Sequence, residues 1–493
     1  MALLSRIRIV GIAAVALFTT YSGADDTLRF DKVDVSLSHP ANGSLLVMPK
    51  QKQLIVSGFS QFERWLSQVS LTDFTVTQLQ IPSDAQFFSS AILANQNAEQ
   101  LVFLTTQGVS WLSPSGKVKP LIQSKSLYRL VDSARLRQRD FVLNLGSELS
   151  DFLLPDFNYF HLFRQQANGQ FNHYKLEVPA LVKSWQQDPN YQPREYFILD
   201  ANDDDYLDIV FIMHGQFYAF LQQADSSFST SAAKLGWPIT MSTEQEADQR
   251  NDAGATYAGK NIDTLAKITD IDGDGVVDIV VNREHFIDAL ERKTSFRVHF
   301  GHKGERGIKF NLEPDTTINT DSSPIAVKIA DINGDGKQDF YISSTHFGVG
   351  TIIRVLLRGS ASLDVDFYLL DNNRRYNTKA NFRQRATIDV SIGDFRFDMP
   401  LLQLADLSAD GSTSLIMGDG LAKLKFYLPD NDRLFQRSSQ SIKVDLPRDA
   451  KQVKVVDLNN DNKQDIILPF SSQDSESQRN RLILLLSPIK KAN

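Results

Sequence analysis

The chain has 493 residues, 42% of them hydrophobic, enough apolar material for a large core and too much for a disordered chain. It carries 52 basic and 59 acidic residues, a net −7, which argues against non-specific nucleic-acid binding and predicts a soluble surface. Cysteine is absent, so disulfides, thiolate metal sites and a cysteine nucleophile are excluded.

Residues 1–24 have the layout of a signal peptide. Arg6 and Arg8 form a positive start, IVGIAAVALF (Ile9 to Phe18) an apolar run, and Ser22 and Ala24 stand at −3 and −1 of a cleavage point before Asp25. The run is too short for the roughly 20 residues of a spanning helix, so the mature chain is expected not to cross a membrane. An exported chain of this size without disulfides fits a periplasmic, secreted or cell-surface protein of a bacterial envelope.

The remainder, 25–490, reads as one domain of short strands. LRFDKVDVSL (Leu28 to Leu37) is a lone strand. SLLVMP, QLIVSGF, RWLSQVSL and FTVTQLQI (Ser44 to Ile81) form a four-stranded unit. ILANQNAEQLVFL, around Asn95 and Asn97, and FVLNLGSELSDFLL, with Asn144, Glu148 and Asp151, are worn copies of a motif that then becomes explicit.

FILDANDDDYLDIVFI places Asp200, Asn202, Asp204 and Asp208 at positions 1, 3, 5 and 9. ITDIDGDGVVDIVV repeats the frame with Asp270, Asp272, Asp274 and Asp278, and IADINGDGKQDFYI with Asp331, Asn333, Asp335 and Asp339. LADLSADGSTSLIM keeps Asp406, Ser408 and Asp410 but has Ser414 at position 9. VVDLNNDNKQDIIL completes the series with Asp457, Asn459, Asp461 and Asp465.

An apolar β-rich run follows each loop (DIVFI, DIVV, DFYI, DIIL), then a second run, as in QFYAFLQ (Gln216 to Gln222), FRVHFG (Phe296 to Gly301), IIRVLLRG (Ile352 to Gly359) and RLILLL (Arg481 to Leu486), and third runs that include IKFNL (Ile308 to Leu312) and VDFYLL (Val365 to Leu370). Two segments interrupt them, a polar one from Met241 to Asn261 and a basic one from Asp371 to Phe395 with Tyr376 and Phe382. Such insertions are natural places for binding. RLRQR (Arg135 to Arg139) and the stretch from Arg374 to Arg385 are expected as solvated loops or strand faces.

Motif starts roughly 50–75 residues apart suit four-stranded propeller blades. The fold class expected is all-β: a β-propeller of four-stranded blades. Seven loops plus the Ser44–Ile81 unit give eight blades, with seven as the alternative if that unit is only a cap. Little sequence follows RLILLL, so Leu28 to Leu37 is expected to supply the last outer strand and close the ring.

DIDGDGVVD, DINGDGKQD and DLNNDNKQD resemble the calcium loops of FG-GAP and VCBS-type repeats, the blades of integrin α-subunit propellers and of many exported bacterial proteins. The resemblance covers roughly Phe197 to Leu486. Phe300-Gly301 and Phe347-Gly348 match the FG half of the family name, and no Gly-Ala-Pro half is present.

Like charges about 4 Å apart repel by about 1 kcal/mol in water and about 4 kcal/mol at an effective dielectric of 20, so a turn that gathers three carboxylates needs a cation. Calcium, which takes six to eight hard oxygens in tolerant geometry, suits it better than magnesium. Gly275 and Gly336 at position 6 permit a positive φ; Asp205 and Asn462 stand there in two other loops. The resemblance implies that the carbonyl at position 7 (Val276, Lys337, Tyr206, Lys463) joins the shell and that the position-9 aspartate closes it. An EF-hand is excluded, because position 12 is Val281 or Ile342 inside a strand. The Asp406 loop, lacking a ninth carboxylate, and the two worn copies are expected to hold calcium poorly or not at all.

No HExxH, GxSxG, P-loop or dinucleotide fingerprint occurs. His299 and His302 lie three apart at a strand end, on different faces, so no metal pair is expected. The sequence therefore suggests an exported, calcium-stabilised propeller serving as a binding or scaffold module for a protein or glycan partner. The alternative is a propeller-based hydrolase or lyase acting on polysaccharide or phosphate ester.

Overall fold

The computed structural model describes residues 28–488, apart from 62, 131–134, 186–187, 249–257, 288–291, 306, 321–322, 346–354, 356 and 392–395. The signal-like segment and Phe347-Gly348 lie outside the described residues.

Eight antiparallel sheets form a ring, an eight-bladed β-propeller. Blade 1 comprises Leu45–Met48, Gln53–Phe59, Arg64–Ser70 and Val76–Gln78. Blade 2 runs through Ala85–Ile92, Glu99–Thr105, Gly108–Leu112 and Val118–Gln123, and blade 3 through Val142–Leu143, Asp151–Pro155, Phe160–Gln165 and Phe171–Leu176. Blade 4 holds Tyr196–Leu199, Asp208–Met213, Gln216–Phe220 and Ala233–Lys234. Blade 5 is longer, with Asn261–Thr269, Asp278–Phe286, Arg292–His299 and Thr316–Thr320. So is blade 6, with Ser323–Ala330, Asp339–Thr345, Ser360–Tyr368 and Phe382–Ser391. Blade 7 has Leu402–Ala405, Ser414–Gly418, Lys423–Tyr427 and Gln440–Lys443.

Blade 8 joins both ends of the chain. Lys454–Val456, Asp465–Pro469 and Arg481–Leu486 are completed by Asp31–Ser36, which pairs antiparallel with the last strand from Asp31↔Leu486 to Ser36↔Arg481. The closure expected from the sequence is the one formed, and it removes the edge an open ring would expose.

Alternating apolar residues point to both faces of each blade, so the core lies between blades. Phe88 and Phe103 fill the space between blades 1 and 2, Phe211 and Phe220 that between 3 and 4, Phe340 that between 5 and 6, and Val35 with Leu484 that between 8 and 1. Fully burying one such side chain contributes about 1.5–3 kcal/mol. Among the described residues no helix is long and apolar enough to cross a membrane.

Several strand assignments are corrected. IKFNL is not a blade strand: the fourth strand of blade 5 is Thr316–Thr320, whose β-branched residues pair with Thr294–Val298. Gly307–Lys309 instead folds back on His302–Gly304 through a turn with Gly307 at φ +96°. In IIRVLLRG, Leu357 and Arg358 are helical, and the third strand of blade 6 is Ser360–Tyr368, which absorbs most of VDFYLL.

The basic segment from Asp371 is no interruption. Phe382–Ser391 is the fourth strand of blade 6, and Tyr376 is buried, its hydroxyl donating to the Gln338 carbonyl at 2.6 Å. RLRQR adds Arg137–Gln138 parallel to the innermost strand of blade 2, with Leu136 fully buried beneath it. Between Met241 and Asn261, Glu244–Asp248 forms a short helix, and Glu244 pairs with Arg194.

Candidate metal-binding loops

Each acidic motif connects the first and second strands of its blade, and the position-1 aspartate organises the turn. Asp270 accepts from the Gly273 and Gly275 amides (2.7 and 2.8 Å), and Asp331 from those of Gly334 and Gly336 (2.8 and 2.9 Å). Asp200 does so with Asp203 and Asp205, Asp457 with Asn460 and Asn462, and Asp406 with Ala409 and Gly411. The acceptor at position 5 takes the amide of position 7: Asp274 from Val276, Asp335 from Lys337, Asp204 from Tyr206, Asp461 from Lys463. Position 3 takes the amide of position 5 where Asp272, Asn333 and Asn459 stand; Asn202 instead donates to Asp204.

Positive φ is required at two positions rather than the one the sequence suggested. Position 4 adopts it as Gly273 (+78°), Gly334 (+79°), Asp203 (+62°), Ala409 (+63°) and Asn460 (+59°). Position 6 follows with Gly275, Gly336, Gly411, Asp205 and Asn462. The non-glycine set is mostly Asp and Asn, the types that tolerate this region best.

The position-9 aspartates have a second task that sequence reasoning missed. Asp208, Asp278, Asp339 and Asp465 are fully buried at the start of the second strand. One oxygen accepts from the amide at position 2 (Ala201, Ile271, Ile332, Leu458), the other from an amide one or two residues past the end of the third strand. For Asp278 that donor is Gly301 at 2.7 Å; for Asp208, Asp339 and Asp465 it is Gln222, Leu370 and Ser487. Asp151 in worn blade 3 does the same with Gln165 and leans on Arg164 at 3.5 Å. The signal was present, because the worn copy in blade 3 keeps an aspartate, Asp151, where the intact copies have theirs, at the start of the second strand.

Burial pushes these carboxyls up, to about 7 for Asp278 and Asp339 and about 6 for Asp208 and Asp465. The two amides each accepts offset part of this, and neighbouring loop aspartates raise it further.

The loops are also linked blade to blade. Gln338 donates its amide to the Ile271 carbonyl (2.7 Å), Thr413 to Ile332 (3.2 Å) and Gln464 to Asp406 (2.8 Å). A Cβ on Gly273 would meet the Gly336 carbonyl oxygen at 3.0 Å. Neighbouring blades supply cations: Lys303 reaches Asp203 at 2.7 Å, and Arg374 lies against Asp272, 3.9 Å from Asp274, with its guanidinium 4.3 Å over the Phe300 ring.

Asp270, Asp272 and Asp278 each offer a carboxylate oxygen within 4.8 Å of the others, the group of this kind among the described residues. Each oxygen has a second lone pair beyond the one given to an amide, so the set is chemically suited to a hard cation. Asn333, Asn202 and Asn459 give the other loops fewer charges. His299 is buried, its Nδ1 3.1 Å from the Asn311 carbonyl, while His302 lies in the separate hairpin; the two do not converge.

The eight-bladed ring and a match to one repeat family over part of the chain support an FG-GAP-type propeller. Residues 270–342, spanning the loops of blades 5 and 6, match the FG-GAP-like repeat family. No curated protein matches the chain in sequence. Among solved structures it is similar to an Agrocybe aegerita lectin that recognises non-reducing terminal N-acetylglucosamine (13% identity, 92% of this chain and 98% of that one, TM-score 0.43). It is also similar to the Vibrio cholerae biofilm matrix protein Bap1 (10% identity, 97% and 88%, TM-score 0.27). Likeness at this level carries no information about a ligand.

Proposed function

We propose that this chain is an exported, calcium-stabilised propeller that serves as a binding or scaffold module for a protein or glycan partner in a bacterial envelope or its surroundings. The observation that carries the calcium part is the approach of the Asp270, Asp272 and Asp278 oxygens at a turn that joins two strands and touches the next blade. With calcium bound, Asp270, Asp272, Asp274 and Asp278 would hold it, with the Val276 carbonyl; Asp331, Asn333, Asp335, Asp339 and the Lys337 carbonyl would form the second site. The loops at Asp200 and Asp457 offer Asn202, Asp204, Asp208 and Tyr206, and Asn459, Asp461, Asp465 and Lys463.

The ion would supply charge neutralisation, and binding only the folded form it would stabilise the ring by mass action. The expected result is a melting temperature lowered by chelator and restored by calcium, with the increment reduced in Asp270→Ala. A melting temperature indifferent to both additions would refute the calcium reading. The binding role is tested separately, by glycan-array binding and by pull-down from envelope extracts with the calcium-loaded chain.

A further inference from the structure

Blades 5 and 6 differ from the others at the ends of their strands farthest from the acidic loops. On the face of blade 5 toward blade 6, Val298 and Val280 are buried, as an inter-blade core requires. Two residues further along each strand come Phe296, still apolar, and Asn282, its cross-strand partner; beyond these lie Thr294 and its partner Glu284. Polar side chains thus continue the surface on which Val280 and Val298 are packed with hydrocarbon.

Both inner strands are bulged at this level. In blade 5 the register shifts between Leu265 and Lys267, with Thr264 opposite Asn282 and Lys267 opposite Val280. Cross-strand partners share a face, so the extra residue, Ala266, brings Thr264 and Lys267 to one side; three apart in a regular strand they would point oppositely. In blade 6 the shift falls between Pro324 and Ala326, and the intervening Ile325 is 42% exposed. Between the bulges lies a pocket of about 630 Å³, lined by these residues, within the range of small-ligand sites.

Among the polar residues of the lining, Lys267 is exposed. The Asn282 Oδ1 atom is buried without a hydrogen-bond partner. The Lys267 ammonium has no ion pair among the described residues. Glu284, at the far end, is 3.8 Å from Arg292. Phe296 and Ile325 give the pocket an apolar side.

From this we infer that the pocket between blades 5 and 6 binds an acidic saccharide unit, a sugar ring bearing a carboxylate. The carboxylate pairs with Lys267, and the apolar face of the ring lies on Ile325. The inference rests on the reading of the ring as a binding module and specifies where and what it binds.

The test uses the calcium-loaded full chain, titrated calorimetrically with oligogalacturonate and with the matching neutral galactose oligomer at equal free calcium. The acidic ligand is expected to bind at least about tenfold more tightly. Lys267→Met should remove that preference, Lys267→Arg should retain it, and neither should alter the chelator-sensitive melting temperature. Equal affinity for the two oligomers, no binding of either, or full binding by Lys267→Met overturns the inference. Where a protein partner is still captured, or Lys267→Met still binds the acidic oligomer at full affinity, the module reading survives and this pocket's assignment alone falls.

Discussion

Arg481 grips Asp34 across the seam where the two ends of the chain meet. Its Nε lies 3.1 Å from Asp34 Oδ1, Nη2 meets Oδ2, and Nη1 is 2.9 Å from Asp445. The residues are 447 positions apart yet sit on neighbouring strands of blade 8. The fork is half-sheltered, with its plane 5.4 Å over Phe470.

Removing either partner should therefore weaken ring closure itself. Arg481→Ala is expected to cost about 1–2 kcal/mol, more than an exposed surface pair, because the contact is bidentate and stacked. A double-mutant cycle with Asp34→Ala in denaturant unfolding measures the coupling. Additive effects would show that the strand pairing and Val33 and Val35, both buried, close the ring without the ion pair.

The buried position-9 carboxyls give the metal-free ring a distinctive pH response. Their folded pKa values are raised, to about 6–7, above an unfolded value of about 3.9. Their contribution to stability is fully present below about pH 4 and is lost as pH rises through about 6–7. In chelator the protein should thus melt lower at pH 8 than at pH 5, and calcium, which favours the ionised form, should flatten or invert the trend. Asp278→Asn should shrink the slope; an unchanged slope in that variant counts against the assignment.

Arg374 is a tethered cation at the best-formed loop, and it shares Asp272 with any ion bound there. Arg374→Ala should lower the metal-free melting temperature, by about 1 kcal/mol of stability, since two loop carboxylates lose their neighbouring charge. The gain on adding calcium should then exceed that of the wild type. Differential scanning fluorimetry with chelator and with calcium reads both quantities, and a smaller gain in the variant would contradict competition for Asp272.

Backbone strain in the loops can be read directly. Ala409 holds φ +63° where its counterparts are Gly, Asp or Asn, so Ala409→Gly should stabilise by about 1 kcal/mol. Gly273→Ala is expected to do the reverse by about 1–2 kcal/mol, because φ is +78° and the new methyl would press on the Gly336 carbonyl. Thermal denaturation of the two variants in chelator is the check; equal shifts of one sign would be incompatible with it.

The motif frame, the alternating apolar runs and the lone strand at Leu28–Leu37 were enough to determine an all-β ring of four-stranded blades closed by its ends, with eight blades favoured over seven, because a recurrent local pattern of turn and strand leaves few ways to bury its apolar faces. The loop residues were legible for the same reason: positions 1, 3, 5 and 9 act within a dozen residues of one another. What the tertiary structure decided lies between segments that no local pattern connects. Gly301 and Leu370 find the far oxygens of Asp278 and Asp339, Arg374 crosses from blade 6 to Asp272, and Tyr376 leaves an apparent insertion to enter the core. IKFNL read as a strand because its composition is right for one; it lost the place in the sheet to Thr316–Thr320, and only packing against Arg292–His299 makes that choice. Long-range contacts of this kind depend on how blades stack in space, and one chain's residue order does not record them.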